Sequence, residues 1–155
     1  MKSLPVKYSL ARTVSLPMLT LFLLLFSCKV QFIPDYSSAL SEEINVTAKK
    51  VDNFYLTMLE TPAASRQYSQ FTEKYVDVEV DLNSILTKNK IRPLNQQSTR
   101  ISEIALQLWT KYKEEHKKDN TLSDGLVKLN RKTLSDLFYA MRVAEEAKNI
   151  PNPAP

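Results

Sequence analysis

Residues 68–85 read YSQFTEKYVDVEVDLNSI, and two periodicities compete within them. Val76-Asp77-Val78-Glu79-Val80-Asp81-Leu82 alternates apolar and acidic, the pattern of a half-buried strand. Tyr68, Phe71, Tyr75, Val78, Leu82 and Ile85 instead step by three and four without a miss, the pattern of one helix face. A strand needs a partner, and no other segment alternates or offers hairpin turn residues. The helical stripe also continues on both sides of the alternating piece in the same phase. The stretch is therefore expected to be helix, which removes the only candidate strand and leaves an all-α chain.

Prolines at 34, 62 and 93 divide the rest, because proline breaks helix interiors. Between the first two, Leu40, Ile44, Ala48, Val51, Phe54, Tyr55, Met58 and Leu59 form a second amphipathic stripe. Beyond Pro93, expected in the first turn of the next helix, Ile101, Ile104, Ala105, Leu108, Trp109 and Tyr112 form a third. After a break at Asp119-Asn120-Thr121, a fourth contains Val127, Leu134, Leu137, Phe138, Met141 and Ala144. Thr121-Leu122-Ser123-Asp124 matches the capping pattern that opens a helix. Folding the chain about residues 63 and 91 sets apolar positions opposite one another, with Met58 near Tyr68, Val51 near Tyr75 and Val78 near Ile104. It also brings Asp81 to Arg100. Short connections between long helices favour antiparallel neighbours, so the expected fold is an antiparallel up-down-up-down four-helix bundle over residues 37–149. Residues 150–155, IPNPAP, are expected to be an extended, disordered tail.

Composition excludes several classes of function. One glycine in 155 residues leaves no glycine-rich phosphate cradle, and one Cys with one His leaves no disulfide scaffold or zinc cluster. The net charge of +4 does not mark a nucleic-acid binder. Lys2, Lys7 and Arg12 supply +3 before residue 28, and the remainder carries 18 basic against 17 acidic residues.

Those three cations precede a mostly apolar run at 16–26, about half the length needed to span a bilayer. A basic region followed by a short apolar run is the form of a secretory signal. Leu25-Phe26-Ser27-Cys28 resembles the lipobox of bacterial lipoproteins, and the resemblance covers the first 28 residues alone. It implies a signal peptide at 1–27, cleavage before Cys28, acyl chains on Cys28 and a lipidated tether at 28–36. Lys29, where an Asp would retain an enterobacterial lipoprotein at the inner membrane, implies the outer membrane facing the periplasm. A plain signal peptide, or an uncleaved anchor with an incidental Cys, is the other reading of these residues. The body likewise resembles the small helical lipoproteins of Gram-negative envelopes, a likeness that implies no active site.

The helical body offers little chemistry. His116 lies in Lys113-Glu114-Glu115-His116-Lys117-Lys118 and is expected at a solvated helix end. Haem held between His116 and Met58 is compatible with the topology, since both lie near the same end of the bundle, but nothing marks Met58 as more than core packing. Glu73, Asp77 and Asp81, four residues apart, line one side of the second helix. They read as a solvated acidic stripe balanced by Lys74, Arg100 and Lys111, or as a docking face for a basic partner or a divalent cation. Asn130 is either a buried register-setting amide or a stripe edge, and Leu106, Tyr139 and Val143 could together form an exposed interaction patch. No catalytic residues, metal ligands or cofactor are expected. The expected function is a non-enzymatic interaction or scaffold protein, anchored through Cys28 and bound to an unidentified envelope protein. The alternatives are an immunity- or inhibitor-type module acting through Glu73, Asp77 and Asp81, and a carrier of a small ligand or metal.

Overall fold

The computed structural model describes residues 33–149. The signal-peptide segment, Cys28 and the tail at 150–155 lie outside the described residues. Four helices make up almost all of the rest: α1 (Ser38–Glu60), α2 (Thr72–Lys90), α3 (Gln96–Asp119) and α4 (Asp124–Glu146). Among the described residues there is no strand, and no helix is long and apolar enough to cross a membrane. Contacts run around a ring, α1 to α2, α2 to α3, α3 to α4 and α4 to α1. Cross-helix pairs fix the directions. Lys50 meets Asp81 while Glu43 meets Lys88, Tyr75 meets His116 while Asn89 meets Ser102, and Asp52 meets Arg131 while Ser41 meets Glu146. Each pair of neighbouring helices is antiparallel, as the patterning predicts.

The registers differ from the expected ones. Lys50 opposite Asp81 places the first fold point near residues 65–66, and Asn89 opposite Ser102 places the second near 95–96. Both shifts come from the connections. Residues 61–71 contain two short 3₁₀ turns, at Ala63–Ser65 and Tyr68–Gln70, so α2 starts at Thr72 rather than at Tyr68. Pro93 sits in a turn before α3 instead of in its first turn. The fourth helix begins two residues later than its capping pattern suggests. Ser123 accepts the Leu126 N–H at 3.3 Å as N-cap, whereas the Thr121 hydroxyl donates to the Ala63 carbonyl at 2.8 Å. Loop docking has taken the hydroxyl that the motif would have used.

The alternation in 76–82 resolves as helix phase. Val78 and Leu82 are buried while Val76 and Val80 face solvent. The core is aromatic at its centre: Phe54 sets its ring edge-on to Tyr55, Phe71, Tyr75 and Trp109 at centroid distances of 4.6–5.8 Å. The Trp109 indole N–H donates to the Tyr75 carbonyl at 3.0 Å. Only the Tyr55 hydroxyl, among fully buried described side-chain polar atoms, has no hydrogen-bond partner, and burial pushes its pKa well above the ordinary value. Asn130 is buried. Among the described residues, two other than glycine adopt left-handed backbone. Asn120 (φ 53°) ends α3, a role asparagine fills readily, while Leu94 (φ 58°) does so in the α2–α3 turn at a cost of about 1–2 kcal/mol.

Candidate functional site

The acidic stripe is less acidic than its sequence. Asp81 is half-buried and paired with Lys50 of α1 at 2.6 Å, not with Arg100. Lys50 is held above its ordinary pKa mainly by that hydrogen bond, with Asp77 adding to the field. Arg100 and Lys111 turn to Glu103 and Glu115 on their own helix, and Lys113 neutralises Glu79 at 2.5 Å. Glu73 and Asp77 remain exposed and outside any ion pair among the described residues. Among the described residues no group of three or more His, Cys, Asp or Glu is placed to hold a metal ion.

His116 is not solvated: it is 0% exposed. Its Nε2 lies 2.8 Å from the Arg66 carbonyl, which can only accept, so Nε2 carries the proton and Nδ1 accepts the Tyr75 hydroxyl at 3.1 Å. Burial lowers its pKa, and the bond to the Arg66 carbonyl opposes that shift only in part. Arg66 is itself buried. It donates to the Thr61 carbonyl at 2.8 Å and the Leu122 carbonyl at 2.9 Å, and pairs with Asp124 at 2.6 Å. The histidine thus staples the long α1–α2 connection to the end of α3, and any ligand for its Nδ1 lone pair must first displace Tyr75. Met58 is fully buried in the core at the same end. A signal for the burial of His116 did exist: Ala105, Trp109, Tyr112 and His116 continue one helical stripe through the charged run.

The opposite end carries a second buried polar cluster that periodicity does not reveal. The Glu145 carboxylate, 1% exposed, accepts the Ser37 N–H at 2.8 Å, Arg92 at 2.9 Å and Lys148 at 2.6 Å. Burial would raise its pKa, but these three donors outweigh it and hold the carboxyl below the ordinary value. Lys148 also reaches Asn95 (2.8 Å) and Ser98 (3.0 Å), and burial lowers its pKa despite Glu145. Arg92 donates in addition to the Asp35 carbonyl. Asp35, in the expected tether, and Ser37, the first residue of the expected bundle, are thereby fastened to the rest of the fold. Both clusters are internally satisfied and behave as structural fastenings.

A surface groove of about 420 Å³ lies between α1 and α4. Val51 and Phe138 form its floor, Leu56 and Tyr139 its apolar rim, and Lys49 and Arg142 its charged rim. Tyr139 is 61% exposed, with the Arg142 guanidinium 5.9 Å above its ring. Arg131 is paired with Asp52 at 2.7 Å, whereas Lys49 and Arg142 form no ion pair among the described residues. The three-residue patch expected from Leu106, Tyr139 and Val143 does not form as such, because Leu106 packs against the core. Tyr139 and Val143 are exposed on α4. No family model matches this chain, and no curated protein or solved structure matches it either.

Proposed function

We propose that this chain is a non-enzymatic interaction bundle of the bacterial envelope, anchored by acyl chains on Cys28, whose α1–α4 groove receives an acidic, partly apolar segment of an envelope protein. One observation carries the reading: an apolar-floored groove whose rim holds two cations, Lys49 and Arg142, that form no ion pair among the described residues. An exposed tyrosine beside an arginine is the composition of an interface anchor. The buried clusters around His116 and Glu145 are spent on holding the fold. The immunity- or inhibitor-type reading keeps support from Glu73 and Asp77, the two unpaired members of the acidic stripe, but pairing of Asp81 with Lys50 weakens that face.

The test is site-specific photocrosslinking of the full-length protein in its own envelope, with the photoreactive group at Tyr139 or at Glu73, and with a Cys28→Ser chain alongside. The expected result is a product at Tyr139 that is lost when Lys49 and Arg142 are both changed to Glu, and weakened without the acyl anchor. A product at Glu73 alone would transfer the function to the acidic face.

A further inference from the structure

We infer that the α2–α3 turn is a membrane-contacting tip: Ile91 and Leu94 enter the lipid interface, and Lys90 and Arg100 hold an anionic phospholipid headgroup beside them. This inference rests on the anchored reading above and adds an orientation to it. The large apolar side chains that face water at this end include Ile91 (76% exposed), Leu94 (50%) and Ile33 (51%), with Val143 on the outer side of α4. At the opposite end the two connections, residues 61–71 and 120–123, expose no large apolar side chain, and those that face water there, Leu126 and Leu129, lie on the flank of α4 rather than in a turn. Ile33 lies five steps along the chain from Cys28, so the covalent reach between acyl chains and this end is at most about 18 Å. The fastening of Ser37 to Glu145 and of Asp35 to Arg92 fixes where the tether joins the bundle, which is this same end.

Charge agrees with that placement. Residues 82–102 contain Lys88, Lys90, Arg92 and Arg100 and no acidic residue. Lys90 and Arg100 share one carboxylate, Glu103, at 3.4 and 3.5 Å, which leaves an excess positive charge at the surface. They rim a concavity of about 340 Å³, also lined by Arg92, Asn95, Gln96, Thr99 and the shared Glu103. Cations flanking exposed apolar side chains are what an anionic bilayer surface attracts. Most acidic groups at this end, Asp35, Glu42, Glu43, Glu145 and Glu146, sit around the start of α1 and the end of α4, where Glu43 pairs with Lys88 and Glu145 with Arg92; Glu103 is the acid on the α2–α3 side, so the contact tilts that way. The left-handed backbone of Leu94 fits the same account, because the fold alone favours glycine or asparagine there.

The experiment uses the full chain, expressed with its signal and purified with its lipid, carrying Ile91→Cys or, as the far-end control, Lys118→Cys. Each is labelled with an environment-sensitive fluorophore and reconstituted into phosphatidylethanolamine–phosphatidylglycerol vesicles containing a nitroxide-bearing lipid. The mass of the purified protein reports acylation of Cys28, and its thermal melt reports folding. The expected result is a blue-shifted label at position 91, quenched severalfold more than the label at 118. The difference should shrink when Lys90 and Arg100 are both changed to Ala, or when phosphatidylcholine replaces the anionic lipid. Equal quenching at both positions in an acylated, folded protein would overturn this inference and leave the anchored reading standing. An unmodified Cys28 in the mass spectrum would remove the anchored reading and this inference with it.

Discussion

Glu145→Gln is the substitution that most directly probes how the bundle is closed. The side chain keeps its shape and loses its charge in a site where it faces Arg92 and Lys148 and is 1% exposed. Lys148 retains Asn95 and Ser98, and Arg92 retains the Asp35 carbonyl, so neither cation is left without an acceptor. The charge they were built around is nevertheless gone, and the new amide N–H must point at a donor. Removing one partner of a buried ion pair costs about 3–5 kcal/mol, and the surviving acceptors put this case near the lower end, about 3 kcal/mol. For a domain of about 120 residues that corresponds to a fall in Tm of about 12 °C, at an unfolding entropy of about 2.1 cal/mol/K per residue. Urea denaturation at neutral pH with an unchanged m-value is the assay. Glu145 is held below its ordinary pKa, so its stabilisation is present above the unfolded value of 4.5 and lost as pH falls through the folded one. The variant should therefore lose less stability than the parent on acidification. Replacing Glu145 and Lys148 together by Leu should be less damaging than the sum of the two single changes. A Glu145→Gln protein within about 1 kcal/mol of the parent would refute the argument that the cluster is a fastening.

Other consequences are as direct. His116 has a lowered folded pKa, so the unfolded chain takes its proton first; stability should decline as pH falls below about 6.5, and His116→Phe should flatten that part of the curve. Tyr55→Phe removes a buried hydroxyl without a partner and should be neutral or raise stability by up to about 1 kcal/mol in thermal melts; a loss above that size would mean the hydroxyl is bonded. Leu94→Gly should relieve the left-handed strain and raise stability by up to about 1 kcal/mol, while weakening the vesicle contact of the α2–α3 turn.

The helices were legible because their apolar spacing is long and uninterrupted. Tyr75, Val78, Leu82 and Ile85 carry a helical phase that two-residue alternation cannot imitate over about three turns. Registers were less legible. They depend on how residues 61–71 and 91–95 spend backbone hydrogen bonds, and Arg66, which organises the first connection, is one charged residue in a polar run. The acidic face was only half readable: Glu73, Asp77 and Asp81 share a side of α2, yet the cation that silences Asp81 comes from α1 through a register that the sequence did not supply. The α1–α4 groove was illegible for the same reason, because it joins positions about 80–90 residues apart, such as Asp52 and Arg131. Burial of His116 could have been read by extending the Trp109–Tyr112 stripe by one turn.

The bond from Ser37 to Glu145 joins positions 108 apart in sequence. Closing so long a loop is entropically expensive until the helices between are in place, so this contact belongs to the last stage of assembly. Contacts that form after the transition state govern the rate of escape from the native state and leave the rate of folding almost untouched. In stopped-flow kinetics the Glu145→Gln chain should therefore fold at the parental rate and unfold much faster. The seam between the first and last helices is then a timer, setting how long a folded copy persists before it opens.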